Sequence, residues 1–111
     1  MFFPEGRIRV FLYGAPCDMR KSFDGLSGLV KNVMDRDPLS GHLFVFVNRR
    51  GNQLKALYWD RSGYCVWTKR LERGSFISNW RATEGREMDF TGLKLLLEGV
   101  EKRRQKTRFR Y

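Results

Sequence analysis

The stretch from Leu43 to Leu71, LFVFVN RRGN QLKALYW DRSG YCVWTKRL, decides the fold. Three runs rich in β-branched and aromatic residues, Leu43 to Asn48, Gln53 to Trp59 and Tyr64 to Leu71, are separated by Arg49-Arg50-Gly51-Asn52 and Asp60-Arg61-Ser62-Gly63. Both separators consist of turn formers, and connections this short join antiparallel neighbours. The spacing predicts an antiparallel β-meander of three strands. A fourth, short strand is expected from Phe76 to Trp80 after the turn Glu72-Arg73-Gly74-Ser75.

Upstream, Arg7 to Tyr13 alternates charged and apolar residues, with Ile8, Val10 and Leu12 on one side, until Gly14-Ala15-Pro16 ends the run. That pattern predicts a first strand. From Ser22 onward, Phe23, Leu26, Leu29, Val30, Val33 and Met34 recur at helical spacing, and Asp37-Pro38 closes the segment. Ser22 is placed to cap this helix and Asp24 suits its positive N-terminal end. Gly25 and Gly28 each weaken a helix by about 1 kcal/mol relative to Ala, which predicts close approach to another backbone.

Downstream, Trp80 to Met88 reads as polar and irregular. Leu93, Leu96, Leu97 and Val100 then form a second helical stripe, capped by Thr91 and ending near Gly99. The expected fold class is α+β. It is a small single domain over residues 1–101, strand-helix then an antiparallel β-meander of three or four strands and a C-terminal helix, followed by a basic C-terminal arm over 102–111.

The charge points to a partner. The 111 residues hold 22 Lys and Arg against 12 Asp and Glu, a net +10. That exceeds what solubility needs and favours a polyanion, of which nucleic acid is the commonest. Nearly all the excess lies after residue 40, and Lys102, Arg103, Arg104, Lys106, Arg108 and Arg110 crowd the end with no acid among them. Such a run stays solvated until an anion neutralises it, so it reads as a flexible DNA-binding arm, with a merely solubilising tail as the alternative. Two cysteines, Cys17 in an expected loop and Cys65 in an expected strand, are too few for a secreted disulfide scaffold. With no signal peptide and no membrane-length apolar run, the expected location is cytoplasmic.

The turn arginines are the most informative local feature. A loop bearing Arg49 and Arg50 beside one bearing Arg61, extended by Lys69, Arg70 and Arg73, would present guanidinium groups to phosphates or base edges. Phe44, Phe46, Tyr58, Trp59, Tyr64 and Trp67 supply rings either for the core or for base stacking. Gly41 to Val47 is faintly like the aromatic strand of RNA-recognition domains, but it lacks the basic-Gly-aromatic-Gly start and the element order differs. An enzyme would need a constellation, and Asp18, Asp24, Asp60, Glu72 and Glu98 include no trio selected by spacing. His42 stands alone at a strand start, with no Cys or Asp partner nearby to make a zinc or triad site. No cofactor and no metal are expected.

Four motifs in order resemble one known family. They are Asp18-Met19-Arg20-Lys21-Ser22-Phe23-Asp24-Gly25-Leu26, Leu43-Phe44-Val45-Phe46, Leu57-Tyr58-Trp59-Asp60, and Lys69-Arg70-Leu71-Glu72-Arg73-Gly74-Ser75-Phe76, joined by the ending Leu95-Leu96-Leu97-Glu98-Gly99-Val100. The chain is similar, from about Arg7 to about Val100, to the TnpB accessory proteins of bacterial insertion sequences. These are the small second-frame proteins of multi-gene elements, distinct from the RNA-guided nucleases that share the name. The resemblance implies a role in transposition beside a separate transposase and other proteins of the same element, with binding to DNA, such as the element ends, and no established catalytic residue. It makes Arg20, Lys21, Lys69, Arg70 and Arg73 binding candidates. The expected function is therefore a non-enzymatic DNA-binding accessory protein. Its rivals are an adaptor that docks the transposase without specific DNA contact, and a metal-dependent nuclease.

Overall fold

A computed structural model describes residues 8–76, 86–88, 93, 95 and 96. In chain order its elements are β1 (Val10–Leu12), α1 (Phe23–Asn32), β2 (Leu43–Val47), β3 (Gln53–Asp60), β4 (Gly63–Arg70) and β5 (Arg86–Met88). They build one five-stranded mixed sheet in the order β4-β3-β2-β1-β5. The meander is as expected: β2 pairs antiparallel with β3 (Val45 opposite Ala56), and β3 with β4 (Leu57 opposite Val66).

The first strand joins the same sheet. β1 lies parallel to β2, Phe11 beside Phe44, so β1, α1 and β2 form a β-α-β crossover. A parallel neighbour buries a strand on both faces, which is why β2 is one unbroken apolar run with every residue buried. Val10, Leu12, Leu43, Val45, Val47, Leu54 and Ala56 face one side, where Phe76 and Leu93 complete the cluster. Phe11, Phe44, Phe46 and Leu57 face the other and receive Leu26 and Val30 of α1. Each of the buried Val, Leu and Phe side chains among them stabilises the fold by about 1.5–3 kcal/mol.

Several expectations need correction. Ser22 occupies the N-cap position and its carbonyl accepts the Leu26 N–H, but its side chain makes no capping bond. Helix α1 stops at Asn32, and Val33, assigned to the apolar stripe, is 61% exposed. Asp35 takes the left-handed conformation (φ 56°), and the Arg36 N–H bonds back to the Val30 carbonyl, a Schellman-like closure. Phe76 is not in a strand. Its N–H donates to the Gly51 carbonyl at 2.7 Å and its ring enters the core, while 77–80 lie outside the described residues.

The segment read as irregular instead supplies β5, which pairs antiparallel with β1. Of the expected second helix, Leu93, Leu95 and Leu96 are helical. Thr91, Leu97, Gly99, Val100 and the arm 102–111 lie outside the described residues. Among the described residues no helix is long and apolar enough to cross a membrane.

Candidate nucleic-acid interface

At the carboxyl end of β2 the chain must reverse within five residues, and the sequence there is Asn48-Arg49-Arg50-Gly51-Asn52. The Gly51 N–H donates to the Asn48 carbonyl at 2.9 Å, and Gly51 takes φ 77°, a conformation that suits glycine. Asn48 braces the turn from inside. Its Oδ1 accepts the N–H groups of Asn52 and Gln53, each at 3.0 Å, and its Nδ2 donates to Asn52 Oδ1 at 2.8 Å. With the polar backbone satisfied internally, Arg49 and Arg50 are left at the tip, exposed and, among the described residues, without an ion pair.

A second segment is bolted to this turn. The Leu71 N–H donates to the Asn52 carbonyl at 2.7 Å, and the Gly51 carbonyl accepts both the Phe76 N–H and the Ser75 hydroxyl. Gly74 (φ 79°) allows the bend between them. Lys69, Arg70 and Arg73 are thereby gathered at the same end of the sheet as Arg49 and Arg50. Arg73 is exposed; Arg70 stands 3.7 Å from Glu72 in an exposed pair that contributes little.

The loop after β1 reaches the same end, because the Tyr13 and Cys17 N–H groups donate to the carbonyls of Val45 and Val47, each at 2.8 Å, and carry the chain to the edge of the turn. Here Asp18 organises a tight loop. Its carboxylate accepts the Arg20 N–H at 2.9 Å and takes the Arg20 guanidinium at 2.7 Å from Nη2 and 3.0 Å from Nε. Those bonds from Arg20 hold the Asp18 carboxyl well below the usual carboxylate range, at about 2. Lys55, on β3, spans the sheet face beneath and donates from Nζ to the carbonyls of Met19 at 2.9 Å and Lys21 at 2.8 Å. Lys21 is exposed, and its stem lies where a Cβ on Gly25 would come within 3.1 Å of it. Gly25 thus makes room for a side chain rather than for the backbone the sequence predicted.

The structure brings together Lys21, Arg49, Arg50, Lys69, Arg70 and Arg73. Arg20 is with them in space, but its guanidinium is committed to Asp18. Arg61 is not with them. Consecutive turns of a meander lie at opposite ends, and the eight residues of β3 separate Arg61 from Arg49 by roughly 24 Å at about 3.4 Å per residue.

The rings divide. Phe44 and Phe46 are core, each fully buried, which removes them as stacking surfaces; Tyr58, Trp59, Tyr64 and Trp67 are half-buried. His42 Nδ1 accepts the Arg9 N–H at 3.1 Å and its ring sits edge-on to Phe11, a structural role. Among the described residues no three His, Cys, Asp or Glu side chains are grouped to hold a metal. Sequence reasoning missed Lys55, although a lysine on a strand face shared with Leu57 is itself a signal that something polar lies opposite.

Comparison with known proteins gives the family. The family model described as IS66 Orf2 like protein matches residues 8–107. The chain belongs to the IS66 Orf2-like family. That makes it an accessory protein of an insertion sequence, associated with transposition. Among curated relatives, the uncharacterized protein y4hO of Sinorhizobium fredii (strain NBRC 101917 / NGR234) is 39% identical over 101 residues, covering 88% of this chain and 86% of the relative. The uncharacterized protein y4jC of the same strain is 39% identical over 77 residues, covering 69% and 66%. No solved structure matches. The match takes in all three basic segments of the interface and reaches into the arm.

Proposed function

We propose that this protein is a non-enzymatic DNA-binding accessory factor that supports transposition beside a separate transposase, gripping duplex phosphates with the arginine-bearing end of its sheet. The observation that carries the reading is the braced Asn48–Asn52 turn, which holds Arg49 and Arg50 outward with Arg73 and Lys21 nearby. A preorganised turn loses little freedom when it meets a phosphate, and each cation seated there releases a counterion. Lys102, Arg103, Arg104, Lys106, Arg108 and Arg110 add phosphate contacts from the arm.

The test is binding to labelled duplex across a salt series, with element-end sequence against scrambled sequence. Arg49→Ala, Arg50→Ala and Arg73→Ala together remove three phosphate contacts, so the slope of log affinity against log salt becomes shallower by about 2.7. Deleting 102–111 flattens it by about 5. A triple variant that keeps the parent slope would refute the interface, and the ratio between the two duplexes reads specificity.

A further inference from the structure

At the opposite end from the arginine turn, an open groove of about 600 Å³ runs between α1, the loop that follows it and the start of β4. Its floor is apolar and small: Gly28 of α1, Pro38 and Leu39 of the loop, and Tyr64 of β4. Leu39 is 51% exposed. Gly28 lies mid-helix, where glycine weakens the helix, yet a Cβ there would meet nothing among the described residues within 4 Å. Among the described residues the close approach that a helical glycine permits is therefore not made.

The rim gives the chemistry of what would make it. Asp24, Asp35 and Asp37 line the groove, in a chain whose net charge is +10. Two cations line the groove as well, Lys31 and Arg36, whose guanidinium stands 4.0 Å over the Phe11 ring, so three carboxylates face two cations. Asp37 is held in place by accepting the Leu39 N–H at 2.9 Å. Three carboxylates repel a nucleic acid and attract a cation, while Leu39 and Tyr64 offer an apolar or aromatic side chain a place to rest.

We propose that this groove docks a basic peptide segment of a partner protein, with Lys or Arg side chains on Asp24, Asp35 and Asp37 and an apolar side chain over Gly28 against Leu39 and Tyr64. The groove begins at Asp24 in the first turn of α1, three residues after Lys21, and runs away from the DNA-binding end to Asp35 and Asp37 beyond the C-terminus of α1. One protein would then hold DNA at one end of its sheet and a second protein at the other.

The experiment titrates the ¹⁵N-labelled full chain with the peptide acetyl-Gly-Lys-Arg-Phe-Lys-Arg-Gly-amide, and with the same peptide carrying Glu at each basic position. The expected result is saturable shifts of the Gly28, Leu39 and Tyr64 amides with the basic peptide alone. Asp24→Asn, Asp35→Asn and Asp37→Asn together weaken binding about tenfold, at the modest contribution per exposed ion pair. Asn keeps the left-handed turn at Asp35 and the hydrogen bond at Asp37. Gly28→Leu fills the groove on a better helix former, so it abolishes binding in a protein that folds at least as well. Equal shifts with the acidic peptide, unchanged binding by Gly28→Leu, no shift at all, or shifts at these amides with duplex DNA instead would overturn the proposal.

Discussion

Lys55 is the residue on which the order of the Asp18–Lys21 loop depends, and Lys55→Met tests that. Methionine keeps most of the stem against the sheet and removes the ammonium head, so the change isolates two hydrogen bonds. The bond to the Met19 carbonyl is partly buried, and a charged donor there contributes about 1.5–3 kcal/mol. The bond to the Lys21 carbonyl is exposed, so water replaces it and it adds about 0.5 kcal/mol. The expected loss is about 2–3 kcal/mol, a large part of the 5–15 kcal/mol typical of a domain. Melting should fall by roughly 10–20 °C at about 4–8 °C per kcal/mol. Urea unfolding measures the loss, and hydrogen exchange places it: amides from Cys17 to Lys21 should lose protection before those of β2. A loss below about 0.5 kcal/mol with unchanged loop protection would refute the reasoning and leave Asp18 and Arg20 as the elements that hold the loop.

Three further outcomes follow from the same packing. Asp18 is depressed by its bonds from Arg20, so that pair's contribution is complete above the usual carboxylate range and is lost as pH falls through about 2. An NMR titration should place the Asp18 midpoint there and move it up only part of the way toward the ordinary carboxylate value in Arg20→Gln, since the residue-20 backbone N–H still donates to Asp18; an ordinary midpoint in the parent would sink the pairing. Cys17 is 5% exposed and burial pushes its thiol up, so iodoacetamide should label Cys65 first and Cys17 only on a timescale set by unfolding, whereas equal rates would contradict the buried placement. Phe46→Ala empties the space between β2 and α1 and should cost about 3–5 kcal/mol, while Val33→Ala on the exposed helix end stays within about 0.5 kcal/mol in the same denaturation series.

How much of this was legible depends on whether a feature is local. The meander was legible because its turn residues and alternating runs fix antiparallel pairing by short connections. Helix α1 was legible for the same reason, but its end was not: Val33 and Met34 continue the apolar period, and the left-handed turn at Asp35 that stops the helix has no strong marker in an Asp. The parallel pairing of β1 with β2 was hinted at only by the two-faced apolarity of Leu43–Val47, which a buried antiparallel strand would also show. Strand β5 was unreadable because Arg86-Glu87-Met88 carries no alternation, and its pairing comes from the open edge of β1. Arg49, Arg50 and Arg73 could be named from turn chemistry and charge. That Arg61 stands apart and that Arg20 is consumed by Asp18 are facts of tertiary geometry.

The topology explains why the charge is divided between two ends. In a β-α-β unit both parallel strands point the same way, so the segments after β1 and β2 leave from one end of the sheet, the place where open sheets with parallel strands carry their sites. The antiparallel return through β3 brings the end of β4 back to that edge, which adds Lys69, Arg70 and Arg73 to Arg49, Arg50 and Lys21. The same path sends the C-terminus of α1 and the β3–β4 turn to the far end, where Asp35, Asp37 and Leu39 lie. A one-residue slip of β2 against β3 would exchange every buried side chain for its neighbour, so burial on both faces fixes the register. The register fixes in turn which basic residues stand together. The +10 charge is therefore not spread evenly over the domain. Among the described residues its free arginines are concentrated at the end that the buried run Leu43–Val47 defines, and Asp35 and Asp37 of the α1 groove lie at the other.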